Sequence, residues 1–259
     1  MLSARNPPSQ RRSVRNTVAR FILGFIGLLG ELMITVGLLL GGYVLWNVWW
    51  DSNQSAAVAQ QGVDDFYENL DEAPRVPGEL NTEDPPPIDP PPADGDTIGV
   101  LIVPAWYNLT NNTMPIKQGT SNAVLDNAAA GHYDGTAMPG NLGNFALAGH
   151  RRTHGNSFRF VDRLEPGDHI VVETETTWYV YSVTQDYVVT PDQVDVIAPV
   201  PNDPGARPEE RILTLTTCHS PSLGEWGNSH RWITHATFVG WMPRSEGMPE
   251  QVLNDPGVQ

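Results

Sequence analysis

A single thiol, Cys218, stands among 259 residues, and its local sequence would present it as a nucleophile. Leu213-Thr-Leu-Thr-Thr-Cys218 alternates apolar and hydroxyl side chains, as a half-buried strand does, and the strand ends at the sulfur. The next segment, His219-Ser-Pro-Ser-Leu-Gly-Glu-Trp-Gly-Asn-Ser229, carries the proline and glycines of a loop, which leaves a thiol accessible. Two more patterns repeat this logic. Phe145-Ala-Leu-Ala-Gly-His150 is an apolar run that delivers a histidine at its end, with Gly149 permitting close approach of another backbone or a substrate. Arg231 opens the strand-like run that follows the cysteine loop. Cysteine attacks as thiolate, and a neighbouring imidazolium raises the thiolate fraction. Acyl transfer then needs a proton donor for the leaving amine, which suits histidine, and donors for the developing oxyanion, which suit a permanently charged guanidinium. His132, His154, His219, His230 and His235 offer the same chemistry as His150, and Arg211 also begins a strand-like run. The joint order of the three motifs singles out Cys218, His150 and Arg231. The competing reading is a small buried cysteine with no chemistry.

These residues need a β-rich frame. Residues 98–103 (Ile-Gly-Val-Leu-Ile-Val) read as a buried strand, and shorter β-type runs cover 144–148, 169–172, 178–183, 211–217 and 231–239. Glycine, proline and aspartate punctuate them, as in a sandwich or barrel. Ser121 can cap a short helix running to Ala130 and closed by Gly131. One cysteine excludes an intrachain disulfide, so the core alone must hold this frame.

The N-terminal part reads as a membrane anchor. Residues 21–45 are apolar apart from Glu31 and would span about 37 Å as a helix, enough for a hydrocarbon core of about 30 Å. Arg11, Arg12, Arg15 and Arg20 precede the run, and Trp46, Trp49 and Trp50 follow it. The positive-inside rule therefore predicts a cytoplasmic N-terminus and an extracellular C-terminal part. A signal peptide cut near Ala57-Val-Ala59 is the alternative, but its apolar region is normally shorter. Residues 51–97 read as an acidic, proline-rich linker. Within it Val63, Phe66, Tyr67 and Leu70 have helical spacing, and two proline triplets between residues 84 and 93 favour an extended polyproline rod. The formal charge of −15 combines a basic first twenty residues with an acidic remainder, which disfavours a nucleic-acid partner.

The combination of Thr-Leu-x-Thr-Cys at a strand end, an upstream Ala-Gly-His and an Arg opening the next strand resembles the sortase superfamily. The resemblance runs from about Ile98 to Trp241 and includes Gly131-His-Tyr133, Pro139-Gly140 and Ala148-Gly-His-Arg151. The doubled threonine before Cys218 and the His-Tyr element are most similar to class E, the housekeeping sortases of actinobacteria. The resemblance implies an all-β fold, a closed eight-stranded barrel with short helices, behind one N-terminal transmembrane helix. The expected organisation is a basic segment at 1–20, an anchor at 21–50, the linker at 51–97, the catalytic domain at 98–243 and a tail at 244–259. It also implies cleavage of a sorting signal between Thr and Gly, of the LAxTG or LPxTG kind, through a thioacyl intermediate. The acyl group of a surface protein would pass to an amine of a peptidoglycan precursor resembling lipid II. Cys218 would be the nucleophile, His150 the acid and then the base, and Arg231 the ligand of the carbonyl or oxyanion. Thr217 and Tyr133 would line the signal-binding groove.

An L,D-transpeptidase is a poor rival, because its Ser-x-Gly-Cys context is replaced here by Leu215-Thr-Thr-Cys218. A pilus-polymerising sortase would be favoured if residues 84–96 folded back as a lid. A non-catalytic anchored binding module would bury Cys218 in its core. No cofactor is implied, and no His/Cys/Asp grouping has metal-ligand spacing along the chain, so no metal site is expected.

Overall fold

The computed structural model describes residues 10–68, 70–86, 90–220, 229–255 and 258. The chain divides into two compact units, Met1–Trp50 and Asp51–Gln259. Within the first lies a 28-residue stretch of helix α1 (Gln10–Glu68), Arg20–Asn47, with a mean hydropathy of 2.2. None of that stretch is buried against protein, and by length and composition it can cross a membrane.

Eight strands close the second unit into a barrel: β1 (Thr97–Ile102), β2 (Thr113–Gln118), β3 (Ala130–His132), β4 (Gly143–Ala148), β5 (His169–Glu173), β6 (Thr177–Val189), β7 (Arg211–His219) and β8 (His230–Pro243). Their order around the barrel is β1-β2-β3-β4-β7-β8-β6-β5, which leaves no free edge. The pairs β2–β3 and β4–β7 are parallel, and all the others are antiparallel.

Period-two alternation sorts each strand into two faces. Leu101, Ile116, Phe145, Leu147, Ile170 and Leu215 fill the interior and are fully or almost fully buried. On the other face, Val100, Ile102, Val171, Trp178 and Val180 are covered by Val63 and Tyr67 of α1 and by Met248 and Val252 of the C-terminal segment. Burial on both faces explains the unbroken apolar run at the start of the domain. The helical spacing of Val63 and Tyr67 serves this packing, so the compact unit is wider than 98–243. The linker also lies on the barrel. The backbone N–H and C=O of Asn81 pair with Trp241, and Asp84 accepts a hydrogen bond from Arg211 at 2.7 Å. Residues 87–89 of the expected polyproline rod fall outside the described residues.

The short helix differs from its expected extent. It spans only Asn122–Leu125 (α2), and Ala130 and Gly131 belong to β3. Two flanking strands compete for that backbone, since β3 pairs with both β2 and β4. Gly131 is needed for closeness rather than as a helix stop: a Cβ there would lie 2.5 Å from the carbonyl oxygen of Gly119.

Two buried polar clusters lock the frame. Glu173, wholly buried, accepts hydrogen bonds from Tyr67 at 2.5 Å and from Arg244 Nε at 2.6 Å. Burial pushes its carboxyl up to about 7 despite these two donors. The second cluster stitches four strands beneath the candidate site. Thr214 donates to Asn144 at 2.6 Å and so accepts from His235 Nδ1 at 2.8 Å. His235 Nε2 then accepts from Tyr187 at 2.7 Å, and Asn202 donates to the Tyr187 oxygen at 2.9 Å. Every group is satisfied only when the imidazole is neutral. Burial accordingly pushes the His235 pKa down to about 4.

The sign of the linkage follows from proton uptake. Between about pH 6.5 and about pH 4 the unfolded chain binds a proton at this position and the folded chain does not. Stability from His235 is therefore complete above about 6.5 and declines on acidification by about 1.4 kcal/mol per pH unit. We expect the stability advantage of residues 51–259 over the His235→Asn variant, read from denaturant melts, to shrink over this window. Comparison with the variant cancels the opposing contribution of Glu173. A constant advantage would mean that the two states titrate alike at His235.

Candidate active site

Strands β4 and β7 run in the same direction with Leu147 opposite Leu215 and Ala148 opposite Thr216. The Gly149 amide extends the ladder by donating to the Thr216 carbonyl at 3.2 Å. His150 and Cys218 each stand two residues beyond the last matched pair of these two strands, His150 past the end of β4 and Cys218 still within β7. In the antiparallel pair β7–β8, Cys218 is directly opposite Arg231. Cross-strand partners share a face, so the thiol and the guanidinium start from the same side of the sheet. The structure thus brings Cys218, His150 and Arg231 to one end of the barrel. Cys218 is a free, half-buried thiol.

Several contacts hold these strand ends together. The Thr217 hydroxyl donates to the Gly149 carbonyl at 2.6 Å and is buried, so it clamps β7 to the segment that carries His150. Gly149 does permit a close approach, but by an aromatic ring: a Cβ would stand 2.8 Å from Phe158. Behind the strand ends, Arg151 donates to His219 Nδ1 at 2.6 Å, pairs with Asp162 at 3.1 Å and lies over the Trp232 ring. Burial and then the Arg151 charge hold the His219 pKa below its ordinary value, which suits an imidazole that accepts at Nδ1. Tyr133 is half-buried and exchanges a hydrogen bond with Thr216 at 3.0 Å, on the Cys218 side of β7. Its neighbour His132 is buried among Gln118, Thr136 and the Ala137 carbonyl, and burial lowers its pKa.

Two residues outside the three motifs join the site: Asp126, which has no signal in the linear sequence, and His154, one of the histidines that compete with His150 on chemistry alone. Asp126, at the end of α2, accepts from His150 Nε2 at 2.8 Å, and His154 Nε2 lies 3.8 Å from the same oxygen. Asp126 precedes His150 by 24 residues in an Asp-Asn-Ala context typical of any loop, so only the fold reveals the contact. Asp126, His150 and His154 are also a set of side chains able to converge on one metal ion. The loop at residues 221–228 lies outside the described residues.

The sortase-domain family model matches residues 107–239, which include His150, Cys218 and Arg231. The chain belongs to the sortase family. Its fold matches the structure of the sortase SrtA from Actinomyces oris, with 58% identity and a TM-score of 0.66 over 70% of this chain and 100% of that one. It also matches sortase E1 from Streptomyces coelicolor, solved with a tripeptide in the active site, with 41% identity and a TM-score of 0.54 over 61% and 97% of the two chains. In sequence it is 36% identical to sortase SrtE1 of Streptomyces coelicolor across 87% of this chain, and the match spans 60% of that relative's length. This sortase therefore falls among class E relatives, as the Thr214-Leu-Thr-Thr-Cys218 strand suggested, and its barrel has the expected eight strands.

Proposed function

We propose that this sortase is a membrane-anchored cysteine transpeptidase that cleaves a sorting signal and transfers the acyl fragment to a cell-wall amine. The observation that carries this reading is the strand register. It sets Cys218 opposite Arg231 on one strand pair, and on the other it holds β7 in parallel register with the strand that leads to His150, up to Ala148 and Thr216. In the first half-reaction Cys218 Sγ attacks the Thr carbonyl carbon of the signal. The C–N bond to Gly breaks, and His150 gives its proton to the leaving amine. In the second, an amine attacks the thioacyl carbon, loses a proton to His150, and the C–S bond breaks to restore the thiolate. Arg231 stabilises the oxyanion in both. With Nε2–H donated to Asp126, Nδ1 is the ring atom left to exchange the proton. Tyr133 and Thr216 form a hydroxyl-bearing wall for the signal, with Thr217 bracing it. Substrates of this kind are surface proteins bearing LAxTG-like or LPxTG-like signals, and the acceptor is a peptidoglycan precursor amine.

A pilus-type lid is not favoured by the linker. Asp84 is bound to Arg211, which begins β7, the opposite end of that strand from Cys218. The apolar stretch Arg20–Asn47, flanked by arginines and tryptophans, supports a single-pass anchor with the barrel outside.

One experiment tests reaction and orientation together. LAxTG and LPxTG peptides with candidate amines are supplied outside intact protoplasts carrying the full-length chain, and products are read by mass spectrometry. We expect cleavage between Thr and Gly and an amine-ligated product. Absence of both in intact and lysed protoplasts would overturn the activity, and processing only after lysis would overturn the orientation.

A further inference from the structure

His150 and His154 both approach one carboxylate, that of Asp126, and this grouping is more than the proposed acyl transfer needs. His154 adopts a left-handed backbone conformation, φ 48°, followed by Gly155 at φ 81°. That turn folds its ring back to within 5.1 Å of the His150 ring, centre to centre. Gly155 fits tightly against the turn that bears Asp126: a Cβ there would lie 2.3 Å from Ala128 Cβ. Backbone packing, rather than flexible side-chain tips, thus brings the two segments together.

We infer that Asp126, His150 and His154 form an inhibitory binding site for a zinc-class divalent cation. Two imidazoles and one carboxylate are a borderline donor set that suits Zn²⁺ far better than Mg²⁺ or Ca²⁺. Zinc bonds of about 2.0–2.2 Å place tetrahedral donors roughly 3.3–3.5 Å apart. The observed separations from Asp126 Oδ1, 2.8 Å to His150 and 3.8 Å to His154, bracket that spacing. All three ligand atoms lie within 4.8 Å of one another, so small rotations bring them onto one ion. The side chains are between a quarter and two fifths exposed, which gives a hydrated ion access. Three protein ligands leave a fourth position for water on a four-coordinate ion.

Occupancy would silence the enzyme by proton arithmetic. Zinc on Nε2 of His150 replaces the proton shared with Asp126, and Nδ1 then carries the only remaining ring proton. The ring has no lone pair with which to accept a proton, and donating the one it has would leave an imidazolate. The inhibitory effect rests on the reading of His150 as proton carrier, whereas the binding site does not.

The test measures binding and rate separately on the full-length chain in detergent micelles, stripped of metal with EDTA. Zinc sulfate is titrated in competition with a chromogenic chelator, and peptide cleavage is followed against each variant's own zinc-free rate. We expect one zinc per chain, retained in Cys218→Ala, with affinity reduced at least about tenfold in His154→Asn and Asp126→Asn. Asparagine tolerates the left-handed conformation at 154, so that variant keeps its backbone, and near-ultraviolet circular dichroism checks the fold of each protein. The half-inhibiting zinc concentration should rise at least about tenfold in the same two variants. Wild-type affinity in both, or loss of binding in Cys218→Ala, would overturn the site. Zinc bound through these residues without slowing cleavage would leave the site standing and overturn both its inhibitory role and the assignment of His150.

Discussion

Replacing Cys218 by alanine is expected to abolish both cleavage and transfer while the barrel stays folded. The side chain is half-buried at a strand end and is the molecule's only thiol, so removing one sulfur opens little space in the core. The chemical loss should be far larger than any packing loss. In a well-studied hydrolase, removal of the nucleophile alone costs on the order of 10⁶ in rate. Mass spectrometry of peptide products reads the effect, and residual cleavage within about tenfold of wild type would eliminate a thioacyl mechanism. A second readout separates a working thiol from an inert one. The native protein should react with a methanethiosulfonate reagent before unfolding, whereas a structural cysteine would react only in denaturant.

The next largest effects should divide His150 from Arg231. On the proposed mechanism His150→Ala should lose the proton carrier, a loss of typically 10²–10⁴ in rate, and should flatten one limb of the pH–rate profile. Arg231 is asked only for charge and geometry. Arginine keeps its charge throughout the working range, so Arg231→Lys retains the charge but loses the planar fork. The expected cost is that of an oxyanion donor, about 2.7–4 kcal/mol, with the limbs of the pH–rate profile left in place. The proton and the charge are thus assigned to different strands: His150 follows β4, and Arg231 faces Cys218 across β7–β8. Near-full activity in Arg231→Lys, or an unchanged pH profile in His150→Ala, would reverse the division of roles.

Much of this was legible in the order of residues because it depends on local chemistry and short periods. The alternation before Cys218, the apolar run ending at His150 and the arginine opening the last long strand each announce a strand end. The length and purity of the stretch within residues 20–47 announce a helix that can cross a membrane. A three-residue strand such as Ala130–His132 has no period to detect, and its alanines and glycine read as a helix until two neighbours claim its hydrogen bonds. Linker residues such as Asn81 and Asp84 look like spacer by composition, yet they bond to Trp241 and Arg211 on the barrel. Asp126 is equally silent, and His154 is marked only as one histidine among several. Their relation to His150 depends on Gly155 packing against Ala128, a contact between segments far apart in the chain. The sequence by itself determined that strands lie at or within two residues of Cys218, His150 and Arg231, because alternation and apolar runs are properties of neighbours. Only the tertiary structure decided which of those ends meet and which carboxylate orients the histidine, because register and barrel closure bring together residues that share no local pattern.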